Sequence, residues 1–386
     1  MKPLKIIFVY DCVYPFIAGG AERRFYELGK RLAQRGYDVH WYSMKSWEGP
    51  KIINHDGIVL HGICKQKSLY TSTGRRSIFE ALLFGISLFK LIGTDFDILD
   101  CCAFPFFSLF PCKIAALLRR KPLYVTWHEV WGIKYWNRYL RYFGFMGYLI
   151  ERLASKLPDV IITVGVRIKR DLIEQLGAKQ KIPVIPNGMD LNTIQAIIPS
   201  KIQSDVIFVG RLVNHKGLDK VISSLKLLND RGIELSLSII GDGPERIQLM
   251  EMAETMNVSK QLHWHGFLKS SDEVYALMKA SNVLTIPSSR EGFSIIVIEA
   301  LACGLPVITI DAPGNAAQDL FQNGISGSVV PDRTADIANA ILQWHDNPKS
   351  LPPEFIKEFD WNRLVDKLEK VYFPSLDMPS KNNQAI

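Results

Sequence analysis

The 386-residue sequence predicts an α/β fold of two doubly wound domains facing a central cleft. Three observations predict it. Short apolar runs of strand length alternate with amphipathic segments of helical spacing, the pattern of a mostly parallel sheet covered on both faces. The series occurs twice, on either side of the turn Pro186-Asn187-Gly188. The length also exceeds that of one typical domain.

Lys5 to Tyr10 is a short apolar strand, and the loop DCVYPFIAGG leads from it into AERRFYELGKRLAQRGYDV. There Phe25, Leu28, Leu32 and Ala33 recur at helical spacing with charges between them, and VHWYS follows as the next strand. This opening lacks the G-x-G-x-x-G turn of dinucleotide-binding domains. Gly19 and Gly20 stand at the helix start instead, where glycine lets the backbone approach an anionic ligand closely. A simple loop-to-helix turn has the same composition. Segment 78–92 is strongly apolar but spans only 15 residues, with Glu80 and Lys90 inside it. A spanning helix needs about 20, so a buried or interfacial helix is predicted. DILD is a strand, CCAFPFFSLFPCKIAALLRR a proline-broken loop and a helix, and LYVTWHE a strand ending at His128-Glu129.

From Trp131 to Leu157 aromatic residues interleave with Lys134, Arg138, Arg141 and Arg152. A helix lying among lipid headgroups has this composition; so does a helix packed on its domain with the arginines in solvent. VIITVG, the helix RIKRDLIEQLG and KIPVIPNGMD close the first half, and DLNTIQAIIPSKIQS connects it to the second. The second series runs DVIFVG, a helix from about Lys216 to Leu228, LSLSIIG, DGPERIQLMEMAETM, LHWHGF, DEVYALMKAS, VLTIP, a helix from near Ser294 and PVITID. The turn APGNAAQDLF and the helices ADIANAILQWH and FDWNRLVDKLEKVY complete it.

Hydrophobic and charged contents of 47% and 22% fit a globular enzyme. The six cysteines form no C-x-x-C pair and lie among apolar residues, which points to reduced thiols and a cytoplasmic location. The start, MKPLKIIFVY, has too short an apolar run for an export signal. Residues 1–186 carry 28 Lys and Arg against 15 Asp and Glu, a balance of +13, and the remainder a balance of −6. The first half is therefore expected to meet something anionic, nucleic acid or a membrane face. Nucleic acid is disfavoured, because the basic residues accompany Trp and Tyr and no binding module appears.

The chemistry concentrates in the loops after the strands of the second half. VIFVG runs into Arg211 and Lys216, two cations beside a helix start, which suit a diphosphate. LSIIG leads into Asp242-Gly243, and VLTIP into PSSREGFSIIVIEALACGLP. In the last stretch Glu291 precedes Gly292, Phe293 and Ser294 at a helix N-terminus, where backbone N–H groups attract an anion. Glu299 follows two turns on, placed either to hold a ligand hydroxyl or as a polar position on a half-exposed helix.

These motifs, in this order from GGAER through PNGMD, GRLVNHKG and GDGPE to SREGFSIIVIEALACGLPVI, resemble the retaining GT-B glycosyltransferases of family 4 over nearly the whole chain. The two acids match that family's hallmark of two glutamates seven residues apart. The resemblance implies Rossmann-like domains and a role for each matching residue. Arg211 and Lys216 would neutralise the donor diphosphate as the sugar leaves. Glu291 would hold donor-sugar hydroxyls, the N–H groups of Phe293 and Ser294 would lie near the phosphate, and Glu299 would take the ribose. Gly19 and Gly20 would let their loop close on the donor, and His128 would lie near the reacting sugar and the acceptor. Asn187, Asp242, Gly243 and Gly292 join the donor-binding set. No metal and no cofactor are implied, since the UDP- or GDP-linked sugar is a substrate.

Two departures stand out. Glu129 replaces the family's frequent Asp after the histidine and receives no role. In APGNAAQDLF the family's Glu has no clear counterpart except Asp319, one residue further along. The expected organisation is an acceptor-side domain 1–186, a nucleotide-sugar domain 187–356, a helix 357–373 crossing back to the first domain, and a flexible tail 374–386. The function implied is transfer of a sugar to a glycan or lipid-linked acceptor of the cell envelope, at an anionic cytosolic membrane face. A nucleotide-sugar epimerase of the same architecture is the alternative.

Overall fold

The structure, a computed structural model, describes residues 2–17, 19–69, 76–346 and 354–374. Apart from Pro374, the tail expected at 374–386 lies outside the described residues. The chain forms two compact units, one of Met1–Asn187 joined by the chain from Trp361, the other of Gly188–Asp360.

The first unit is built on β1 (Lys5–Val9), α1 (Gly20–Gln34), β2 (Asp38–Lys45), β3 (Ile52–His55) and β4 (Ile58–Lys65). It continues with α2 (Ile78–Ser87), β5 (Ile98–Cys102), α3 (Leu109–Arg119), β6 (Leu123–Trp127), α4 (Gly132–Leu140), α5 (Gly144–Ala154), β7 (Val160–Thr163) and α6 (Val166–Glu174). The strands form one sheet in the order β3-β4-β2-β1-β5-β6-β7, parallel except for β3 against β4. Reversal of the chain order beside β1 makes this a doubly wound sheet, whose ligands sit beyond the strands' C-terminal ends.

Three local outcomes differ from the sequence reading. The hairpin β3–β4 was not anticipated; its turn places Asp56 (φ 51°) and Gly57 (φ 84°) in left-handed conformations, the geometry that suits a two-residue loop. The aromatic-basic stretch is not one helix but a hairpin of α4 and α5, broken at Arg141 (φ 51°). Glycine explains the close packing of its arms: a Cβ on Gly147 would sit 2.1 Å from the Trp136 ring. The apolar segment at 78–92 is α2 followed by a 3-10 turn, with Glu80 and Phe84 buried and Phe79 and Ile86 exposed.

The second unit comprises α7 (Leu191–Ala196), β8 (Ser204–Val209), α8 (Leu218–Asn229), β9 (Leu237–Ile240), α9 (Arg246–Thr255), β10 (Leu262–Gly266) and α10 (Ser271–Lys279). Then come β11 (Ser281–Thr285), β12 (Arg290–Glu291), α11 (Ile295–Ala302), β13 (Val307–Ile310), β14 (Gly314–Asn315), β15 (Gly327–Val330) and α12 (Thr334–His345). Its main sheet is parallel, in the order β10-β9-β8-β11-β13-β15. Along β8, Val206 and Phe208 enter one apolar cluster and Ile207 and Val209 the other. A strand buried on both faces is why DVIFV reads as a continuous apolar run. The helix after β8 starts at Leu218 rather than Lys216, because Asn214–Lys216 form a 3-10 turn and Gly217 is left-handed.

The last helix, α13 (Trp361–Tyr372), belongs to the first unit. It places Trp361, Leu364, Leu368 and Tyr372 among Phe8, Phe25 and Leu32. Arg35 of α1 bridges Glu369 and Asp366 on it, the latter at 2.7 Å.

Candidate active site

In the second unit, β9, β8 and β11 lie side by side, and the loops leaving their C-terminal ends are locked together. Leu212 N–H donates to the Asp242 carbonyl at 3.0 Å, and Ser289 N–H to the His215 carbonyl at 2.9 Å. A Cβ on Gly243 would meet the Leu212 carbonyl oxygen at 2.2 Å, and one on Gly217 (φ 74°) the Pro287 carbonyl oxygen at 2.5 Å. Glycine is the residue that allows both approaches. The three loops form one platform at the edge where doubly wound sheets take ligands.

The platform carries opposed charges. Lys216 Nζ lies 2.6 Å from Glu291 Oε1, with side-chain exposures of 20% and 9%. Arg211 is exposed and has no ion-pair partner among the described residues. Asp242 accepts the Gly243 N–H at 2.7 Å and faces Arg246 at 3.5 Å. His215 is held below its ordinary pKa by burial and by the charges of Lys216 and Arg290, which leaves the ring neutral.

Glu291 is fixed by a small second sheet. β12 pairs in parallel with β14, Glu291 opposite Asn315. Asn315 is fully buried and donates to Thr309 Oγ1 and the Ile310 carbonyl, each at 2.9 Å. The motif loop APGN therefore meets the glutamate through Asn315, while Asp319 is exposed at the end of a short 3-10 turn. Gly292, Phe293 and Ser294 lead into α11. Ser294 stands at the N-cap without a side-chain bond to the first turn, so the backbone donors there are not capped by its hydroxyl.

Glu299 sits elsewhere than a half-exposed helix position. It is buried, 3% exposed, on an otherwise apolar helix, and Oε1 accepts the Tyr275 hydroxyl at 2.6 Å. Tyr275 and Asn315 were missed by sequence reasoning; a buried carboxylate implies a partner, but spacing does not say which.

In the first unit, His128 follows β6, and its Nε2 is buried without a hydrogen-bond partner. Burial, reinforced by the charge of Arg24, pushes its pKa down to about 3. Arg24 of α1 is 1% exposed and donates to the Pro186 carbonyl at 2.5 Å and to Asn187 Oδ1 at 3.4 Å. Asn187 is thus held by α1 within the first unit. Arg24 was also missed, although it precedes Leu28 and Leu32 at four-residue spacing, a charge on the apolar face of its helix. Gly19 and Gly20 lie exposed at the start of α1, Gly19 in extended conformation. The platform residues Arg211, Lys216, Asp242, Gly243, Glu291, Gly292, Phe293 and Ser294 are gathered in the second unit, and His128, Asn187, Gly19 and Gly20 belong to the first. Among the described residues no three His, Cys, Asp or Glu side chains converge to hold a metal ion.

Comparison with known proteins agrees with this architecture. The model for Glycosyltransferase Family 4 matches residues 18–193, and that for Glycosyl transferases group 1 matches residues 192–359. The chain is 28% identical over 374 residues to an uncharacterized glycosyltransferase of Methanocaldococcus jannaschii, covering 93% of this chain and 95% of that one. It is 24% identical to a capsular polysaccharide biosynthesis glycosyltransferase of Staphylococcus aureus, over 78% of each. The solved structure of Anabaena HepE in complex with UDP and glucose superposes with a TM-score of 0.70 at 18% identity, covering 97% of this chain and all of that one. Two consecutive family models over two doubly wound α/β domains identify a glycosyltransferase of the GT-B fold, not the epimerase alternative: the chain belongs to family 4, whose members are retaining enzymes.

Proposed function

We propose that the protein moves a hexose from a UDP-linked donor to a glycan or lipid-linked acceptor, in building a cell-envelope polymer at the cytosolic membrane face. The observation that carries this reading is the Lys216–Glu291 pair beside Arg211, on a platform that adjoins the N-terminus of α11. Arg211 and Lys216 take the diphosphate, the one as a planar fork and the other as a point charge. The N–H groups of Phe293 and Ser294 add the helix-terminal field. Glu291 turns to the sugar hydroxyls once Lys216 has a phosphate, and Glu299, oriented by Tyr275, takes the ribose.

Transfer then depends on electrostatics. As the bond to the sugar breaks, charge grows on the diphosphate, and prepositioned cations stabilise that state more than the ground state. The departing phosphate assists the acceptor hydroxyl on the same face of the sugar, which retains configuration. His128, neutral because burial holds its pKa near 3, meets the acceptor as a hydrogen-bonding group rather than as a cation.

The UDP preference draws on the nucleotide bound in the HepE structure, and the envelope setting on the capsular relative. Six free cysteines are compatible with a reducing compartment. No helix among the described residues is long and apolar enough to cross a membrane. The surface we assign to the membrane is the basic, aromatic one of the first unit, whose composition suits anionic headgroups. A thermal-shift panel of nucleoside diphosphates tests the donor class, since a ligand at a hundred times its Kd stabilises by about 2.7 kcal/mol. UDP is expected to raise the melting temperature above ADP and GDP; a flat panel overturns the reading.

A further inference from the structure

The first unit holds a cavity to which the transferase reading gives no task. Its volume is about 350 Å³, and Phe104, Phe106, Trp131, Trp136, Tyr139 and Met146 form much of its wall. That size falls within the range of about 300–1,000 Å³ common for small-molecule sites. The wall is braced by its own rings: Trp131 lies 4.7 Å from Trp136 and 5.1 Å from Tyr139, centroid to centroid. Arg76 is the charged group on its lining, and its guanidinium lies over the Phe104 ring and pairs with Asp11. Packed interiors rarely leave such a space, and an apolar one favours an apolar guest over water.

The surroundings say what kind of guest. Ile78, Phe79, Ile86, Phe143, Phe145 and Met146 on the neighbouring α2, α4–α5 turn and α5 are half or more exposed. Every exposed charge in segments 77–93, 109–120 and 131–156 is cationic: Lys90, Arg120, Lys134, Arg138, Arg141, Arg152 and Lys156. The two acids of these segments, Glu80 and Glu151, are fully buried. An apolar face studded with cations complements an anionic lipid surface.

The cavity also adjoins the sheet edge that carries His128. Trp131 follows His128 by three residues, a reach of at most about 10 Å. Asp11, which bonds Arg76 at the lining, follows the end of β1 by two residues. That reach is short enough for a molecule with its tail among these rings to place its head at the strand ends.

We propose that this cavity holds the hydrocarbon tail of a lipid-linked acceptor, whose head is thereby presented at His128. The proposal rests on the transferase reading above and names its acceptor class. The probe is dodecanol with a terminal diazirine, photolysed with the full-length protein and mapped by mass spectrometry. Saturable labelling within residues 131–150 is expected, displaced by dodecanol and not by butanol.

Two plugged variants follow: Met146→Trp, at an exposed residue of the lining, and Ala81→Phe on α2. Each buried methylene contributes about fourfold in affinity, so excluding two or three weakens labelling roughly 15- to 60-fold. Flotation on vesicles of equal phosphatidylglycerol and phosphatidylcholine separates tail from surface. Arg138→Glu with Arg141→Glu should lower flotation and keep labelling, and Met146→Trp should do the reverse. Unsaturable labelling, or labelling unchanged in both plugged variants, overturns the proposal. So does competition by vesicle phospholipid as strong as that by dodecanol, which assigns the cavity to bulk membrane. UDP binding is read separately on the same preparations: a protein that binds UDP but takes no tail overturns this proposal alone. Tail labelling without UDP binding supports the cavity and counts against the donor site.

Discussion

Lys216 is held by Glu291, so the donor diphosphate we assign to that lysine has to compete for it. The pair is 2.6 Å apart with side-chain exposures of 20% and 9%, between a surface and a buried ion pair. Its net strength is therefore about 1–2 kcal/mol, above exposed pairs and below fully desolvated ones. Glu291→Gln removes that competition together with a negative charge beside the diphosphate. UDP affinity should rise roughly five- to thirtyfold, the factor those energies correspond to. Turnover of UDP-glucose should fall in the same variant by about 10²–10³, since the proposed contact of Glu291 to the reacting sugar is lost. Calorimetry of UDP and a UDP-release assay measure the two effects separately. UDP affinity unchanged or weakened in Glu291→Gln, in a variant that melts like the parent, refutes the competition.

Further outcomes follow from single contacts. Gly217→Ala puts a Cβ 2.5 Å from the Pro287 carbonyl at φ 74°, and should cost about 2–4 kcal/mol in denaturant melts and abolish UDP binding. Tyr275→Phe leaves buried Glu299 without its 2.6 Å donor; a stability loss of about 1–3 kcal/mol and weaker UDP binding are expected. Glu151 accepts from the backbone N–H groups of Trp131 (2.8 Å) and Gly132 (3.0 Å) and from Trp136 Nε1 (2.7 Å), and burial raises its pKa to about 7. A folded pKa above the ordinary 4.5 means that its contribution is complete below about pH 4.5 and lost as pH rises through 7. Glu151→Gln should therefore cost most near pH 5 and least near pH 8, the two differing by up to about 3 kcal/mol in chemical denaturation.

The interior strands were legible because both their faces are buried, which writes them as unbroken apolar runs such as IIFVY and DVIFV. The platform loops were legible for a related reason: Gly217 and Gly243 are demanded by backbone approaches that the three adjoining loops make within about 3 Å. The edge hairpin was not read. IINH alternates between exposed and half-buried residues and carries no apolar run, although Asp56-Gly57 did signal its turn. The break at Arg141 was overlooked because helical periodicity continues through it; Gly144 and Gly147 were the cue. Glu299 illustrates the deeper limit. A carboxylate on a helix reads as polar, and only the fold brings Tyr275 of another helix against it. Arg24 marks the opposite case, a charge on an apolar helix face that the pattern displayed and that the reading passed over.

The central claim is that the platform of the second unit binds the donor diphosphate through Lys216. Calorimetric titration of UDP into the parent protein and Lys216→Ala tests it most directly. Loss of a charge-assisted contact of about 3 kcal/mol should weaken binding roughly a hundredfold while the melting temperature stays within a few degrees. Equal UDP affinity in the two proteins would contradict it.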